Sequence, residues 1–207
     1  ALDAQNSSTD TNMYNVAVGY AAGGSITTGI ENIIIGGLAG DALTDADVNI
    51  AIGMSALSSD TKGSKSIAIG KGNLFAQNFT TATDTHNIAI GTNAGLSVTT
   101  GLKNVLVGGI AGDALTDADL NVAVGHQALS ADTLGSRSVA VGAFALQAQN
   151  FTTATDSYNV AVGVDAGLLV TTGQNNVLVG GLVGDALTTG TANVALGKSA
   201  LGADTKG

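Results

Sequence analysis

Apolar and polar positions alternate over five residues, and that five-residue pattern recurs through the whole chain. Asn15-Val16-Ala17-Val18-Gly19 is the first copy, and ten more begin at Asn32, Asn49, Ser66, Asn87, Asn104, Asn121, Ser138, Asn159, Asn176 and Asn193. Their spacing is 17, 17, 17, 21, then 17, 17, 17, 21, then 17, 17. A fixed period of this size marks a solenoid or stacked array, in which each unit packs only on its neighbours. Positions two and four of each unit are always Val, Ile or Leu. Period-two alternation of β-branched residues predicts a short strand there. Position five is Gly in all eleven units, which predicts a turn needing positive φ or a close backbone approach. Ala stands at position eight in nine units, Asn73 and Val183 being the exceptions, and Thr stands at position thirteen in all nine units of the short type. The predicted fold is all-β: a parallel β-roll or β-solenoid of about eleven stacked 17–21-residue coils. At ~4.8 Å per coil this makes a rod section of roughly 50 Å.

A longer period lies on top of the first. Three 17-residue coils and one 21-residue coil form a four-coil block, giving blocks 15–86 and 87–158 and an incomplete one at 159–207. Gly40-Asp41-Ala42-Leu43-Thr44-Asp45-Ala46-Asp47 returns unchanged at 112–119, and Ala76-Gln77-Asn78-Phe79-Thr80-Thr81-Ala82-Thr83-Asp84 returns at 148–156. Residues 1–14 read as the tail of an earlier coil, because Thr9-Asp10-Thr11 before Tyr14-Asn15 echoes Thr83-Asp84-Thr85 before His86-Asn87. The chain is therefore read as one repetitive segment, 1–207, and the absence of an atypical capping repeat predicts that it belongs to a longer fibre.

The middle position of the strand pattern is Ala in most coils but Ile34, Leu106 and Leu178 once per block. With the Val/Ile lanes assigned to the coil interior, this middle position is the outer face, and it is apolar too. An apolar stripe running the length of a rod is too large to leave in water. Packing it against the same stripe of other copies covers every coil at once, because the repeat is linear. The expectation is an intertwined or side-by-side homotrimer with Ile34, Leu106 and Leu178 at the interface. The alternative is a monomer whose coil encloses both faces. Asn at position one, replaced by Ser66 and Ser138, reads as a stacked amide ladder or a turn residue, and both roles are structural.

Charge narrows the list of partners. Lys and Arg number 7 and Asp and Glu 16, so the formal charge is 7 − 16 = −9; such a chain repels nucleic acid and anionic membrane surfaces. No apolar run approaches the ~18 residues of a membrane span, so no membrane insertion by this segment is expected. There is no Cys and no Pro, hence no disulfide framework and no thiolate metal site.

The Asn/Ser-Val/Ile-Ala-Val/Ile-Gly core with Ala three residues after the Gly resembles the YadA-like head repeat of trimeric autotransporter adhesins. Ser66-Ile67-Ala68-Ile69-Gly70 and Ser138-Val139-Ala140-Val141-Gly142 carry it most closely. The resemblance implies a trimeric parallel β-roll outside the cell that binds host matrix or cells. The short coils of this chain are nonetheless longer than that family's usual unit. Thr-Thr-Gly at 27–29, 99–101 and 171–173, and Ala-Gly at 22–23, 94–95 and 166–167, are similar to repeat regions of phage tail-fibre-like proteins. The implied location is thus a bacterial cell surface or a phage virion.

No catalytic, cofactor-binding or metal constellation stands out. His86 and His126 fall at different coil positions and at no metal spacing. No Gly-rich stretch matches a phosphate loop. The acidic turns Asp41/Asp45/Asp47 and Asp113/Asp117/Asp119, with Asp60 and Asp132 one coil further on, could supply oxygens to Ca²⁺; solvated turn charges explain them equally. Repeated Thr also admits an ice-binding solenoid as a minor reading, against which the long coils interrupt the pattern. Those coils, 66–86 and 138–158, carry four extra residues each, expected to bulge as loops. Two placements stay open for their aromatic residues. Phe79 and Phe151, with Asn78 and Asn150, contact a host surface glycan or protein, or each Phe folds back over a neighbouring coil or chain. The function expected is a non-enzymatic fibrous surface protein, an adhesin head or tail-fibre segment for attachment. The alternative is a purely structural spacer shaft with receptor binding elsewhere.

Overall fold

The structure is a computed structural model that describes residues 1–6 and 12–207; the Thr9-Asp10-Thr11 echo lies outside the described residues. Eleven three-residue strands form one parallel sheet in simple order: β1 (Val16–Val18), β2 (Ile33–Ile35), β3 (Ile50–Ile52), β5 (Ile67–Ile69), β7 (Ile88–Ile90), β8 (Val105–Val107), β9 (Val122–Val124), β11 (Val139–Val141), β13 (Val160–Val162), β14 (Val177–Val179) and β15 (Val194–Leu196). Two-residue strands add a side pair at each long coil: β4 (Gly63–Ser64) with β6 (Thr83–Asp84), and β10 (Gly135–Ser136) with β12 (Thr155–Asp156). The described chain is an all-β solenoid of eleven turns without a helix.

Register follows the repeat position for position. Ala17 pairs with Ile34, Ile34 with Ala51, and Ala68 with Ala89 across the four-residue insertion. Ladder bonds run up and down the stack, as where Val16 N–H donates to Asn32 O at 2.8 Å and Gly36 N–H to Val18 O at 2.8 Å. Between strands the chain turns corners through left-handed residues. Position seven is left-handed in every coil, including Leu38 at φ 58° and Ile110 at φ 50°; the last position is too, including Val48 at φ 59°. Each such residue costs about 1–2 kcal/mol against the right-handed form. These corner N–H groups are nonetheless satisfied by the coil below: Leu38 N–H donates to Tyr20 O at 2.9 Å and Val48 N–H to Ile30 O at 3.0 Å.

The interior is narrow, and the strand's middle position points into it. Ala51, Ala68, Ala89, Ala123, Ala140 and Ala161 are fully buried together with position-eight Ala residues such as Ala39 and Ala56. This corrects the face assignment made from sequence. Ile34, Leu106 and Leu178 are each at 0% exposure inside their own chain, so they are core residues and not a subunit interface. Their size answers a Gly at position nine. A Cβ on Gly40 would lie 3.1 Å from Ile34 Cδ1, and one on Gly184 3.0 Å from Leu178 Cδ2. Where the middle position is Ala51 or Ala123, position nine is instead the buried Leu57 or Leu129. A close-packed interior admits at most one large side chain at these two positions; where both are small, as at Ala89 and Gly95, Leu74 and Leu106 of the adjoining coils fill the space, a Cβ on Gly95 lying 3.0 Å from Leu74 Cδ2.

Position one forms an amide ladder, interrupted only at Ser66 and Ser138. Asn32 N–H donates to Asn15 Oδ1 at 2.8 Å, and Asn49 N–H to Asn32 Oδ1 at 2.9 Å. Each side-chain amide closes its own coil, as where Asn32 Nδ2 donates to Ala46 O at 2.8 Å and Asn104 Nδ2 to Ala118 O at 2.7 Å. Buried Asn is thereby satisfied at both ends, and the structural reading of this position describes the geometry.

Gly at position five sits where neither a side chain nor ordinary backbone fits. Gly91 has φ +135°, and a Cβ there would overlap the Gly108 carbonyl of the next coil. Gly91→Val is expected to lower unfolding free energy by about 1–3 kcal/mol from backbone strain alone. Gly37 has no heavy atom within 4 Å of its would-be Cβ and no left-handed φ. Gly37→Ala should be neutral or stabilising by up to about 1 kcal/mol. Urea melts of the two variants beside the parent check the pair; equal midpoints for all three would refute it.

Candidate interaction surface

Turning the middle position inward turns positions two and four outward. Every strand of the large sheet presents two of them on its outer face, from Val16 and Val18 to Val194 and Leu196. All are Val or Ile except Leu196. Ile33, Ile35, Ile90, Val162 and Val177 are each more than a third exposed, and the other internal ones are half-buried by their neighbours along the stack. The lanes broaden in some coils, while in others the last position carries the exposed Glu31, Lys65, Lys103 and Arg137. Leu38 and Leu182 at position seven and Val48 and Leu120 at the last position are exposed, as are Tyr20, Met54 and Val164 at position six. No charged side chain stands within the lanes. A flat apolar band that runs the length of the rod is the dominant surface feature, and such patches mark binding faces.

The long coils do not offer their aromatic rings. Phe79 and Phe151 are only 7% and 5% exposed, which corrects their placement as receptor contacts: each folds back onto the coil. Phe79 N–H donates to Asp60 Oδ1 at 2.9 Å and Phe151 N–H to Asp132 Oδ1 at 3.0 Å. Asn78 and Asn150 are exposed, but they occupy the Thr column of position thirteen and accept from it. Thr61 Oγ1 donates to Asn78 Oδ1 at 3.3 Å and Thr133 Oγ1 to Asn150 Oδ1 at 3.2 Å. The four added residues put Thr80-Thr81-Ala82 and Thr152-Thr153-Ala154 in solvent. An ion pair anchors each insertion to the coil before it: Lys65 with Asp84, and Arg137 Nε with Asp156 Oδ1 at 2.9 Å. The Arg137 guanidinium also lies 5.8 Å from the centre of the Tyr158 ring. Lys65 holds the Asp84 carboxyl below its ordinary range, chiefly by hydrogen bonding.

The acidic turns are tied into the backbone. Thr28 Oγ1 donates to Asp45 Oδ1 at 2.6 Å, and Asp47 Oδ1 accepts Ile30 N–H at 2.9 Å. Thr100 and Leu102 serve Asp117 and Asp119 in the same way at 2.6 and 2.7 Å. Asp60 and Asp132 are not beside these turns but inside the core, at 0% exposure. Among the described residues no three His, Asp or Glu side chains converge on a point that could hold a metal ion. His86 and His126 are exposed, and His126 packs edge-on to Phe144 with ring centres 5.6 Å apart. Among the described residues no helix is long and apolar enough to cross a membrane.

No family model, curated protein or solved structure matches this chain.

Two carboxylates are left in tension. Asp41 Oδ1 and Asp113 Oδ1, one block apart, are buried without a hydrogen-bond partner. Burial pushes both carboxyls above their ordinary value, their own backbone N–H groups offsetting it in part. A folded carboxyl with a raised pKa opposes folding when ionised, and this penalty vanishes below the unfolded value of 3.8. Asp41→Ser with Asp113→Ser, Ser being the residue at this position in Ser58 and Ser130, should therefore raise the melting temperature at neutral pH. The gain should shrink as pH falls through the carboxylate range. Thermal melts from pH 7 down to pH 3 check this, and a gain that grows on acidification would contradict it.

Proposed function

We propose that this chain is a non-enzymatic fibre segment that assembles with copies of itself along the apolar band. The supporting observation is the uncovered pair of Val/Ile lanes along the full sheet. A copy of the same chain is the natural occupant, because its lanes carry the same succession of short and long coils and match level for level. Closed rotational symmetry about the rod axis then serves all coils together. Three chains suit the surface better than two. Two sheets packed flat would cover the lanes but leave the rims at Leu38, Leu182, Val48 and Leu120 in water; three chains around an axis bring each rim against a neighbour. The fibre is read as extracellular, on a bacterial surface or a virion, on the strength of the resemblance of its strand motif to trimeric adhesin heads.

Within such a fibre the segment serves first as a shaft. With Phe79 and Phe151 tucked into the coils, the insertions lack the exposed aromatic anchors that dominate protein interfaces. Attachment to a host glycan or protein is the second reading. Its support is the recurrence of the solvent-exposed Thr80-Thr81-Ala82 and Thr152-Thr153-Ala154 tips, about 19 Å apart along the rod at four coils per block. Repetition at that spacing lets weak contacts gain avidity.

Light scattering with native mass spectrometry on the purified chain should give three copies per particle. A soluble monomer at micromolar concentration would sink the reading, and a dimer would overturn the three-chain form of it. Val124→Asp sharpens the test. On a solitary chain this half-exposed position should tolerate the change within about 0.5 kcal/mol. In the assembly it buries unpaired charge at a cost of several kcal/mol, about 2–7 for a polar group and more for an ion. The variant should therefore be a folded, dissociated chain.

A further inference from the structure

Position twelve is a core column. It holds Ile26, Leu43, Val98, Leu115, Val170 and Leu187, all fully buried. Once in each complete block the column turns polar: Asp60 is followed by Gln77, and Asp132 by Gln149, all four at 0% exposure. Each pair falls where a short coil meets a long one. Gln77 Nε2 donates to Asp60 Oδ2 at 2.6 Å and to Ser66 Oγ at 2.9 Å, while Gln77 Oε1 accepts from Asn87 Nδ2 at 2.9 Å. Asp60 Oδ1 takes the Gly63 and Phe79 N–H groups at 3.0 and 2.9 Å. Gln149 repeats this with Asp132 Oδ2 at 2.5 Å, Ser138 Oγ at 3.0 Å and Asn159 Nδ2 at 2.8 Å. Neither carboxylate has a cationic partner: among the described residues the ion pairs are at Asp3, Asp84 and Asp156.

We propose that this cluster is the register lock of the solenoid. The rest of the stack discriminates weakly, its one other variable being the large aliphatic that stands at position three in some coils and position nine in others. Val/Ile lanes, position-five Gly, inward Ala and backbone ladder are nearly the same in every coil, so a chain that skips or doubles a level during folding loses little. The cluster has one solution. Asp at position twelve requires a Gln on the next level and the Phe N–H that only the long coil supplies. That Gln in turn requires the small Ser at position one, which leaves space for its head. It also accepts from the side-chain amide of the next Asn, Asn87 or Asn159, while the Asn87 N–H, which lacks an Asn carbonyl below it, turns to Thr85 Oγ1 at 3.4 Å. Slipped by one coil, Asp60 would face the apolar side chain of a short coil, an uncompensated charge in a dry core. Buried polar groups that set register at some cost in stability are the best-attested use of such clusters. The lock also fixes which levels carry the exposed loop tips; only their alignment between chains rests on the assembly proposed above.

The test replaces the polar column by the residue the column already uses. Asp60→Leu, Gln77→Leu, Asp132→Leu and Gln149→Leu are combined in the full chain, which is unfolded and refolded. Hydrogen exchange by mass spectrometry then follows peptides spanning 43–98 and 115–170. The parent should give one mass envelope per peptide. The variant should refold with two or more envelopes, slipped coils exchanging freely, while its ordered fraction melts no lower than the parent. One envelope matching the parent would overturn the proposal. Asp60→Asn with Asp132→Asn covers the case in which the Leu variant does not fold, since it keeps the shape and backbone caps while removing the charge. It should show a minor second envelope after refolding, and a single envelope there would equally count against the lock.

Discussion

The bore of the coil sets the terms for every other feature. A short coil encloses a strand, left-handed corners at positions seven, nine and seventeen, and little else. Beside the position-twelve column, at most one large aliphatic side chain fits on each level. Ile34 takes that place where position nine is Gly40, and Leu57 takes it where the strand offers only Ala51. No further large side chain can be added inside without forcing its neighbours apart. The Val/Ile pair at positions two and four of each coil therefore has one side left to occupy, the outer one. The small bore and the apolar exterior are one fact seen from two sides.

A coil with so little to bury relies on its backbone. Each level contributes a few small apolar groups to the core, while its N–H and C=O groups are paired with the levels above and below. The amides at position one extend this pairing. Each links two coils through its carbonyl and closes one through its nitrogen, so a single Asn satisfies groups that would otherwise be orphaned inside a turn. The cost of the left-handed corners at Leu38, Val48 and Ile110 is tolerable for the same reason, since each such corner still donates into the ladder.

Much of this architecture was legible in the sequence. The period predicted eleven coils, and all eleven strands begin at the position that the alternation marks. The Gly at position five reads as a turn needing positive φ or a close approach, and both hold at Gly91, with φ +135° and the next coil's carbonyl in the space that a side chain would need. What alternation could not say was which face is inward, because both faces are apolar and period two has no sign. Volume held the answer: in the coils that carry a large residue it stands at position three or at position nine and never at both, as Ile34 with Gly40 and Ala51 with Leu57 show, and residues sharing one cavity exchange size in that way. The choice between the two placements open to Phe79 and Phe151 could not be made for a related reason. Their burial follows from Asp60 and Asp132, whose role is visible only when coils are aligned and position twelve is found to change from Leu or Val to Asp and then Gln.

The insertions thus carry two opposed demands. Four extra residues lengthen the perimeter and must leave the common cross-section, which exposes Thr80 to Ala82. The same coil brings Phe79 and Gln77 inward, and an ion pair fastens the side strands β4 and β6 where the loop leaves the coil. A loop held at its base by a buried carboxylate, a buried ring and a surface salt bridge has a fixed exit point and a free tip. The core beneath it distinguishes that level from all others, which the Val/Ile lanes do not. The lanes vary little along the rod and the core does vary, so under the proposed lock it is the core that sets where along that length each loop stands. In a repeat this regular, position along the rod has to be written in the few buried residues that break the pattern.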